Sequence, residues 1–386
     1  MDAHPSDRLP RISALQFATM VTAGYLPCGI FYFPRPAIAD AGKSGLWCIF
    51  LDGGVTWCLM ALMFRVTRLV PDESIIAISP KIVGRPLGWF LGVYLIIYHL
   101  VLTIAAVSLF GFVMREVFLP HDPIWAIIGA LTATAVYMGW GGAVGIARTL
   151  MAGYGPVAFF TILTGMVSVI LIRHPVLLKP PLFGPLFPIL SGAWHEYILF
   201  IGFQLTITLY PFIRNEQRLA AQRYTYWGLL MVVTALVIQY EVMMAAFGPS
   251  YLIDLRWPLV SFLRIISVES FFIDKFGLLV LALWTMIVVG FTAVRFWCIT
   301  HGTLALAGWH STSAYRVTLA VFGSLAVIGA VMIPNATTNE YVIQTYLIPG
   351  GLLFLIMTPG ILLPMAFFRS GTVRKLRMQY DTPAQE

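Results

Sequence analysis

The chain has 386 residues, of which 59% are hydrophobic, 14% aromatic and only 11% charged, and its formal net charge is +7. Soluble domains carry roughly 25% charged residues, so this composition excludes an ordinary soluble protein and indicates an all-α integral membrane protein. The basic residues lie in short loops, which favours membrane topology over nucleic-acid binding as the reason for the positive charge.

The first twelve residues are polar and carry two arginines, without a short apolar core and cleavage site. We therefore predict an N-terminal tail over residues 1–12 and an uncleaved first span. Apolar runs of about 20 residues predict ten transmembrane helices. They lie near 13–39, 45–66, 88–114, 124–141, 146–172, 190–211, 225–248, 272–298, 312–333 and 345–368.

Residues 22–36 interrupt the first apolar run. Pro27 removes a backbone donor and clashes with the preceding turn, while Gly24 and Gly29 weaken the turns on either side. In hydrocarbon, freed backbone groups are tolerated where they line a cavity, and such breaks mark substrate sites in transporter folds. We predict that residues 25–29 line a small-molecule site at the bilayer midplane. The alternative is an ordinary proline-kinked helix.

Two long connections carry helical patterns. Residues 71–87, between spans two and three, interleave isoleucines with polar residues and predict a short interfacial helix. Residues 250–271, between spans seven and eight, contain the pattern WPLVSFLRIISVE at 257–269, which has helical spacing. Each half of the chain thus starts with a breakable span and inserts an amphipathic piece after its second span.

This order predicts an inverted repeat of five helices, because a repeat with an odd number of spans reverses its direction in the membrane. The first repeat would cover residues 13–172 and the second 173–368. Span six would supply the second break, at Gly202 shortly before Gln204, and would end at Pro211. A continuous helix with a closely packed glycine is the alternative there.

Orientation follows from the positive-inside rule. With a cytoplasmic N-terminus, sixteen of the 24 Lys and Arg residues fall in inner segments, Arg295 among them, and eight in outer segments. Both termini are therefore predicted in the cytoplasm, and the basic tail over 369–386 is expected to be frayed. The four cysteines, Cys28, Cys48, Cys58 and Cys298, have no CxxC or metal spacing and are expected to be packed thiols.

Several short stretches occur in an order that is typical of one family: FPR (33–35), GLW (45–47), LPHDPI (119–124), YMGWGG (137–142), WPLVS (257–261) and FFIDKF (271–276). Over residues 11–370 the chain resembles the B-subunit of bacterial spore-germinant receptors. These are the spore germination permeases of the amino acid–polyamine–organocation superfamily.

The resemblance implies a LeuT-type fold, with ten helices in a 5+5 inverted repeat and breaks in helices one and six. It also implies a role in sensing nutrient germinants, typically amino acids, in the inner membrane of a dormant spore. An A-subunit and a lipoprotein C-subunit are the implied partners. One departure is Pro27-Cys28-Gly29, where the superfamily usually has Gly-x-Gly, because Pro27 has no N–H to offer a carboxylate.

A bound amino acid needs donors for its carboxylate and carbonyls or an acid for its ammonium group. Amides at the half-helix of span one suit the carboxylate, and the carbonyls and the Gln204 amide of span six could orient either end. The candidate binding residues are Tyr25, Pro27, Cys28, Gly29, Ile30, Tyr98, Gly202, Phe203, Gln204 and Trp284.

Ionisable residues inside membrane spans are costly and are therefore functional candidates. Glu241 in span seven, His99 in span three and Asp52 near the outer end of span two are candidates for a proton or ion relay. Alternatively, Glu241 and Asp52 reach an outer vestibule, and His99 forms a hydrogen bond with a neighbouring helix.

No enzymatic site is predicted. His195-Glu196 is a single pair without a second histidine at metal spacing, and no phosphate-binding loop occurs. We predict no catalytic residue, metal or cofactor. The leading hypothesis is a germinant-receptor subunit, the second is a proton- or cation-coupled amino-acid permease, and the third is a water or ion conduit that opens on germination.

Overall fold

The computed structural model describes residues 11–25, 29–168, 172–178, 183–266 and 276–381. Regular structure in these residues is helical. The helices are α1 (Ala14–Thr22), α2 (Arg35–Ala41), α3 (Gly45–Thr67), α4 (Ile75–Val83), α5 (Arg85–Val117), α6 (Ile124–Trp140), α7 (Gly142–Ser168), α8 (Leu186–Glu196), α9 (Leu205–Leu209), α10 (Arg218–Phe247), α11 (Pro249–Asp254), α12 (Pro258–Ile265), α13 (Phe276–Ala307), α14 (Thr312–Met332), α15 (Ala336–Val342), α16 (Ile348–Phe368) and α17 (Ser370–Asp381).

The described residues contain six continuous helical segments that are long and apolar enough to cross a membrane. Two further pairs reach that length together but bend at a break, α6 with α7 by 119° and residues 186–199 with 201–212 by 53°. The chain is therefore a multi-pass membrane protein, as predicted from its composition. The number of ten crossings stays a prediction.

The first span is broken, as predicted. Its first half, α1, starts with a capping box in which Ser13 Oγ accepts from Gln16 N at 3.2 Å and Gln16 Oε1 accepts from Ser13 N at 2.8 Å. The helix ends at Thr22, and the next helix, α2, starts at Arg35. Between them, Pro27 and Cys28 lie outside the described residues.

The sixth span is also broken, so the alternative of a continuous helix is wrong. After α8 the chain continues through two 3-10 turns, Tyr197–Leu199 and Ile201–Gln204, before the short α9. The C-terminal end of span six forms two backbone hydrogen bonds with the start of span one. Ile12 N donates to Phe212 O at 2.7 Å, and Arg214 N donates to Ile12 O at 3.1 Å. The two broken spans therefore lie side by side.

Both patterned connections are helical, as predicted. The first forms α4, whose isoleucines are buried against α5 and α16. The second forms α11 and α12, and α12 packs on α13. Residues 267–271, the end of the predicted segment, lie outside the described residues. The order of elements in the second half repeats that of the first: a broken span, a long helix, a short helical connection and another long helix. The predicted boundary between the repeats, at residues 172 and 173, stays a prediction.

The C-terminal tail differs from its prediction, and the described cysteines agree with theirs. The C-terminal tail was expected to be frayed, but residues 370–381 form α17, and Arg377 Nη2 donates to Arg68 O at 2.6 Å. A basic helix that docks on the bundle explains the difference. Cys48, Cys58 and Cys298 are free thiols, as predicted, although Cys58 is exposed.

Candidate functional site

The break in span one is stabilised by tight local turns. Gly24 N donates to Val21 O at 2.9 Å and Tyr25 N to Thr22 O at 3.1 Å, so the helix narrows after its last full turn. Beyond the undescribed residues, Tyr32 N donates to Gly29 O at 3.0 Å. The backbone thus leaves the helix within the membrane without losing these hydrogen bonds.

The two breaks touch through a pair of glycines. A Cβ built on Gly24 would lie 2.8 Å from Gly202 O, and one built on Gly202 would overlap the backbone of Gly24. Only residues without a side chain allow two backbones to approach this closely. Gly202, predicted as a site residue, therefore allows the backbones of the two broken segments to pack against each other.

Gln204, two residues after Gly202, is the most informative polar side chain of this region. It is fully buried, and neither Oε1 nor Nε2 has a hydrogen-bond partner among the described residues. Thr206 Oγ1, on the same segment, is also buried without a partner there. A buried polar group without a partner costs about 1–3 kcal/mol. The amide of Gln204 therefore has hydrogen-bonding capacity that no described residue uses, although Gln204 does not line the cleft that lies beside the break.

A cleft leads from the break towards the face that carries α2, α8 and α15. Its volume is about 10 Å³, room for about one water molecule. The lining residues are Gly29, Tyr32, Phe33, Pro36, His195, Glu196, Ile198, Leu199, Glu340, Ile343 and Gln344. In this conformation the cleft is closed.

Polar contacts above the cleft connect the three helices. Arg35 of α2 forms an ion pair with Glu340 of α15. Tyr32 Oη donates to Ala336 O at 3.1 Å, and Gln344 Nε2 donates to His195 O at 2.8 Å. These contacts join α2 and α8 to the start of the last span, so the cleft opens only if they break.

We expect Glu340→Ala to open the cleft. An ion pair that is partly exposed contributes only about 0–1 kcal/mol, so the variant should fold. In a chain that lacks the exposed thiol through Cys58→Ser, a cysteine placed at Ile343, which is buried in the cleft, should react several-fold faster with a membrane-impermeant thiol reagent when Glu340→Ala is also present. Glu216→Ala, an exposed acid outside the cleft, is the control. Equal rates in both backgrounds would contradict a closing role for the pair.

The structure brings only part of the predicted binding set together. Gly29 lines the cleft, but the other predicted residues of the two breaks are buried in the packed interior and do not line it: Tyr25, Ile30, Gly202, Phe203 and Gln204. Tyr98 Oη donates to Leu347 O at 3.0 Å, at the π-helical turn Ile343–Leu347, so its hydroxyl is already engaged. The indole Nε1 of Trp284 is buried without a partner in the described part of the chain, but Trp284 does not line the cleft.

The three relay candidates have different surroundings. Glu241 is half-buried near the end of α10 and has Lys43 as a charged neighbour, and its outer position stays a prediction. His99 is buried in α5, and its Nδ1 lies 2.6 Å from Arg295 Nη1. Asp52 is buried in α3 and interacts electrostatically with Glu196.

The position of Arg295 differs from its predicted place in an inner segment, at the end of a span that ends at residue 298. The helix α13 continues to Ala307, and the Arg295 side chain is fully buried, with its guanidinium 4.4 Å above the Phe291 ring. The apolar residues that follow Cys298 are the sequence signal for the longer helix. No feature of the sequence predicts that Arg295 contacts His99.

Comparison with known proteins agrees with this architecture. Residues 11–340 match the protein family described as Spore germination protein. The chain is similar to Spore germination protein GerQB of Bacillus cereus, with 25% identity over 284 residues that cover 71% of this chain and 74% of that protein. It is also similar to Spore germination protein B2 of Bacillus subtilis (strain 168), with 20% identity and the same coverage of 71% and 74%.

Solved structures show the same fold at low identity. Mhp1, a nucleobase-cation-symport-1 family transporter, has a TM-score of 0.57 at 11% identity, over 97% of this chain and 99% of that chain. The Eremococcus coleocola manganese transporter has a TM-score of 0.55 at 13% identity, over 95% of this chain and 84% of that chain. The predicted LeuT-type transporter fold is therefore confirmed.

Proposed function

This chain belongs to the spore germination protein family, and from that premise we propose that it is the transporter-fold subunit of a nutrient-germinant receptor. It binds a small molecule where spans one and six break, and binding triggers germination. An amino acid is the proposed ligand class.

The buried, unpartnered amide of Gln204 carries the proposal. Its Nε2 can donate to a carboxylate and its Oε1 can accept from an ammonium group, so one side chain can recognise either end of an amino acid. The adjacent Gly24–Gly202 contact supplies backbone at the same level of the membrane. Pro27, which has no N–H, leaves more of the recognition to Gln204.

Binding would require a change of conformation. The closed cleft, at about 10 Å³, is far smaller than the roughly 300 Å³ of a small ligand pocket. A solute would therefore bind a state in which α2 and α8 have separated from α15. Because a ligand shifts an equilibrium only by its differential affinity for the two states, this difference would act as the switch that partner subunits detect.

We propose that the partners are an A-subunit and a lipoprotein C-subunit, in the inner membrane of the spore, with both termini of this chain in the cytoplasm. Deletion of the gene should abolish nutrient-triggered germination without a defect in amino-acid uptake. The retention of germination in the deletion strain would overturn the proposal.

A proton- or cation-coupled amino-acid permease is the second candidate function. The fold that the chain shares with a nucleobase-cation-symport-1 family transporter favours it. Uptake of labelled amino acids into proteoliposomes that contain only this chain would support the permease. Binding without uptake would support the receptor.

We expect Gln204→Leu to lower the affinity for the ligand by about 10- to 100-fold, since a hydrogen bond to a charged group contributes roughly 1.5–3 kcal/mol. Thermal stability should be unchanged or higher, because the substitution removes a buried polar group without a partner. The measurement is equilibrium binding of radiolabelled amino acids, tested one by one, to the full chain in nanodiscs. Gln239→Leu, a half-buried glutamine on α10, is the control. Unchanged binding by Gln204→Leu would contradict this role.

A further inference from the structure

Two acidic side chains lie in the contact between α3 and α8. On α3, Cys48, Asp52 and Thr56 follow one another at intervals of four residues and share one helix face. Cys48 Sγ donates to Ile189 O at 3.2 Å, and Thr56 Oγ1 donates to Tyr197 Oη at 3.2 Å. These two contacts bracket Asp52, so it faces the last turns of α8.

Glu196 is the last residue of α8 and immediately precedes Tyr197. Because Tyr197 contacts Thr56, Glu196 lies beside the part of α3 that runs from Asp52 to Thr56. The two carboxylates interact electrostatically. Each side chain is only 2% exposed. Glu196 Oε1 accepts from Ala37 N of α2 at 3.3 Å, while Glu196 Oε2 and Asp52 Oδ2 have no hydrogen-bond partner among the described residues.

No lysine or arginine forms an ion pair with these two carboxylates in the described part of the chain. The neighbouring ionisable side chains are acids, thiols or phenols: Asp40, Cys48, Tyr197 and Tyr240. His195, next to Glu196 in the chain, lies against Asp40 instead, with 2.7 Å between Nδ1 and Oδ2. Two ionised carboxylates in such a place would repel each other strongly.

A bound cation would relieve this repulsion, and the number of oxygen ligands that a cation requires decides which cation fits. Metal ions such as Ca²⁺ and Mg²⁺ take six or more oxygen ligands, and the described residues contain no group of three metal-binding side chains. A proton needs only two oxygens, and one unpartnered oxygen is present on each carboxyl group. The arrangement therefore fits a proton better than a metal ion.

We propose that Asp52 and Glu196 share one proton when the cleft is closed, forming a proton-binding site between spans two and six. The O–H of one carboxyl group donates to the other carboxylate, and the proton comes from and returns to water. The site does not require that the cleft bind a solute.

The proton site is connected to the cleft through α2. Glu196 of α8 accepts a hydrogen bond from Ala37 N of α2. Asp40 of α2 accepts a hydrogen bond from Ser191 Oγ at 2.8 Å and forms a hydrogen bond with His195, both on α8. These contacts join α2 and α8 into one unit. Loss of the proton would leave two charges that push this unit away from α3. Since Glu196 also lines the cleft, deprotonation would favour the open state.

Infrared difference spectroscopy of the full chain in nanodiscs tests the shared proton. We expect the C=O stretch of a protonated carboxylic acid at neutral pH, shifted in D₂O and lost in Asp52→Asn/Glu196→Gln. Both substitutions keep the size of the side chain, so the double variant should fold. Glu116→Gln, an exposed acid, should retain the band. A band that is absent from the native chain, or retained in the double variant, would overturn the proposal, as would stabilisation by Na⁺ or Li⁺ that the double variant loses.

The link to the cleft has its own measurement. Nitroxide labels at Phe50 on α3 and Leu190 on α8, both exposed, report the separation of the two helices by dipolar EPR in a Cys58→Ser background. The separation should increase from acidic to alkaline pH in the native chain and stay constant in the double variant. A pH-independent separation in the native chain would overturn the coupling, whether or not the cleft binds an amino acid.

Discussion

Gly202→Ala is expected to destabilise the folded protein by about 3 kcal/mol, at the upper end of the usual range for overpacking. A methyl group at this position would overlap the backbone of Gly24 and approach Tyr25 N. Backbone atoms cannot move to another rotamer, so the two broken spans would have to separate. Thermal unfolding of the full chain in detergent, followed by circular dichroism, measures the loss.

Gly54→Ala is the matched control for this substitution. Gly54 lies within α3, and a Cβ built there meets nothing within 4 Å. Alanine is favoured over glycine in a helix by about 1 kcal/mol, so the control should unfold at the same or a higher temperature. If both variants unfolded alike, the close approach of spans one and six would not be required for the fold.

His99→Leu is expected to cost about 3 kcal/mol, because it removes an acceptor from a buried, permanently charged side chain. Arg295 is fully buried, and its Nη1 lies 2.6 Å from His99 Nδ1. To accept this hydrogen bond, the ring must be neutral and carry its proton on Nε2. His99 is then a structural partner of Arg295, which agrees with the alternative of a hydrogen bond to a neighbouring helix.

A double-mutant cycle separates this pair from its surroundings. The effects of His99→Leu and Arg295→Met should sum to at least about 1.5 kcal/mol more than the effect of the double variant, since both single changes break the same contact. His121→Leu, at an exposed histidine before α6, should leave the stability unchanged. Additive effects, within about 0.5 kcal/mol, would show that the two side chains are not coupled.

The breaks in spans one and six were predictable because they depend on local chemistry. Pro27 disrupts a helix and the nearby glycines weaken it, and Gly202 weakens the sixth span in the same way. The connection that became α4 was also predictable, since its isoleucines at 75, 76, 78 and 82 are interleaved with polar residues as in a short amphipathic helix. These features depend on residues that are neighbours in the chain.

The partners of the charged residues were not predictable. Arg35 and Glu340 are separated by 305 positions, and His99 and Arg295 by 196. Spans that are apolar on most sides do not show which face meets which neighbour. The sequence therefore shows Glu196 only as part of a lone His-Glu pair, although the fold buries it in the contact between α3 and α8, in which Asp52 also lies.

By itself the sequence determined that this chain crosses a membrane repeatedly and which family it resembles, and it indicated two positions where a span can break, because each of these depends on local hydrophobicity, helix breakers and short motifs. That both spans are broken was decided by the structure. Only the tertiary structure decided that Gly24 meets Gly202, that Gln204 has no partner within the described chain, and that Asp52 and Glu196 are both buried where α3 packs against α8. Such contacts depend on the rotation and register of whole helices, which are set by packing between segments far apart in the chain.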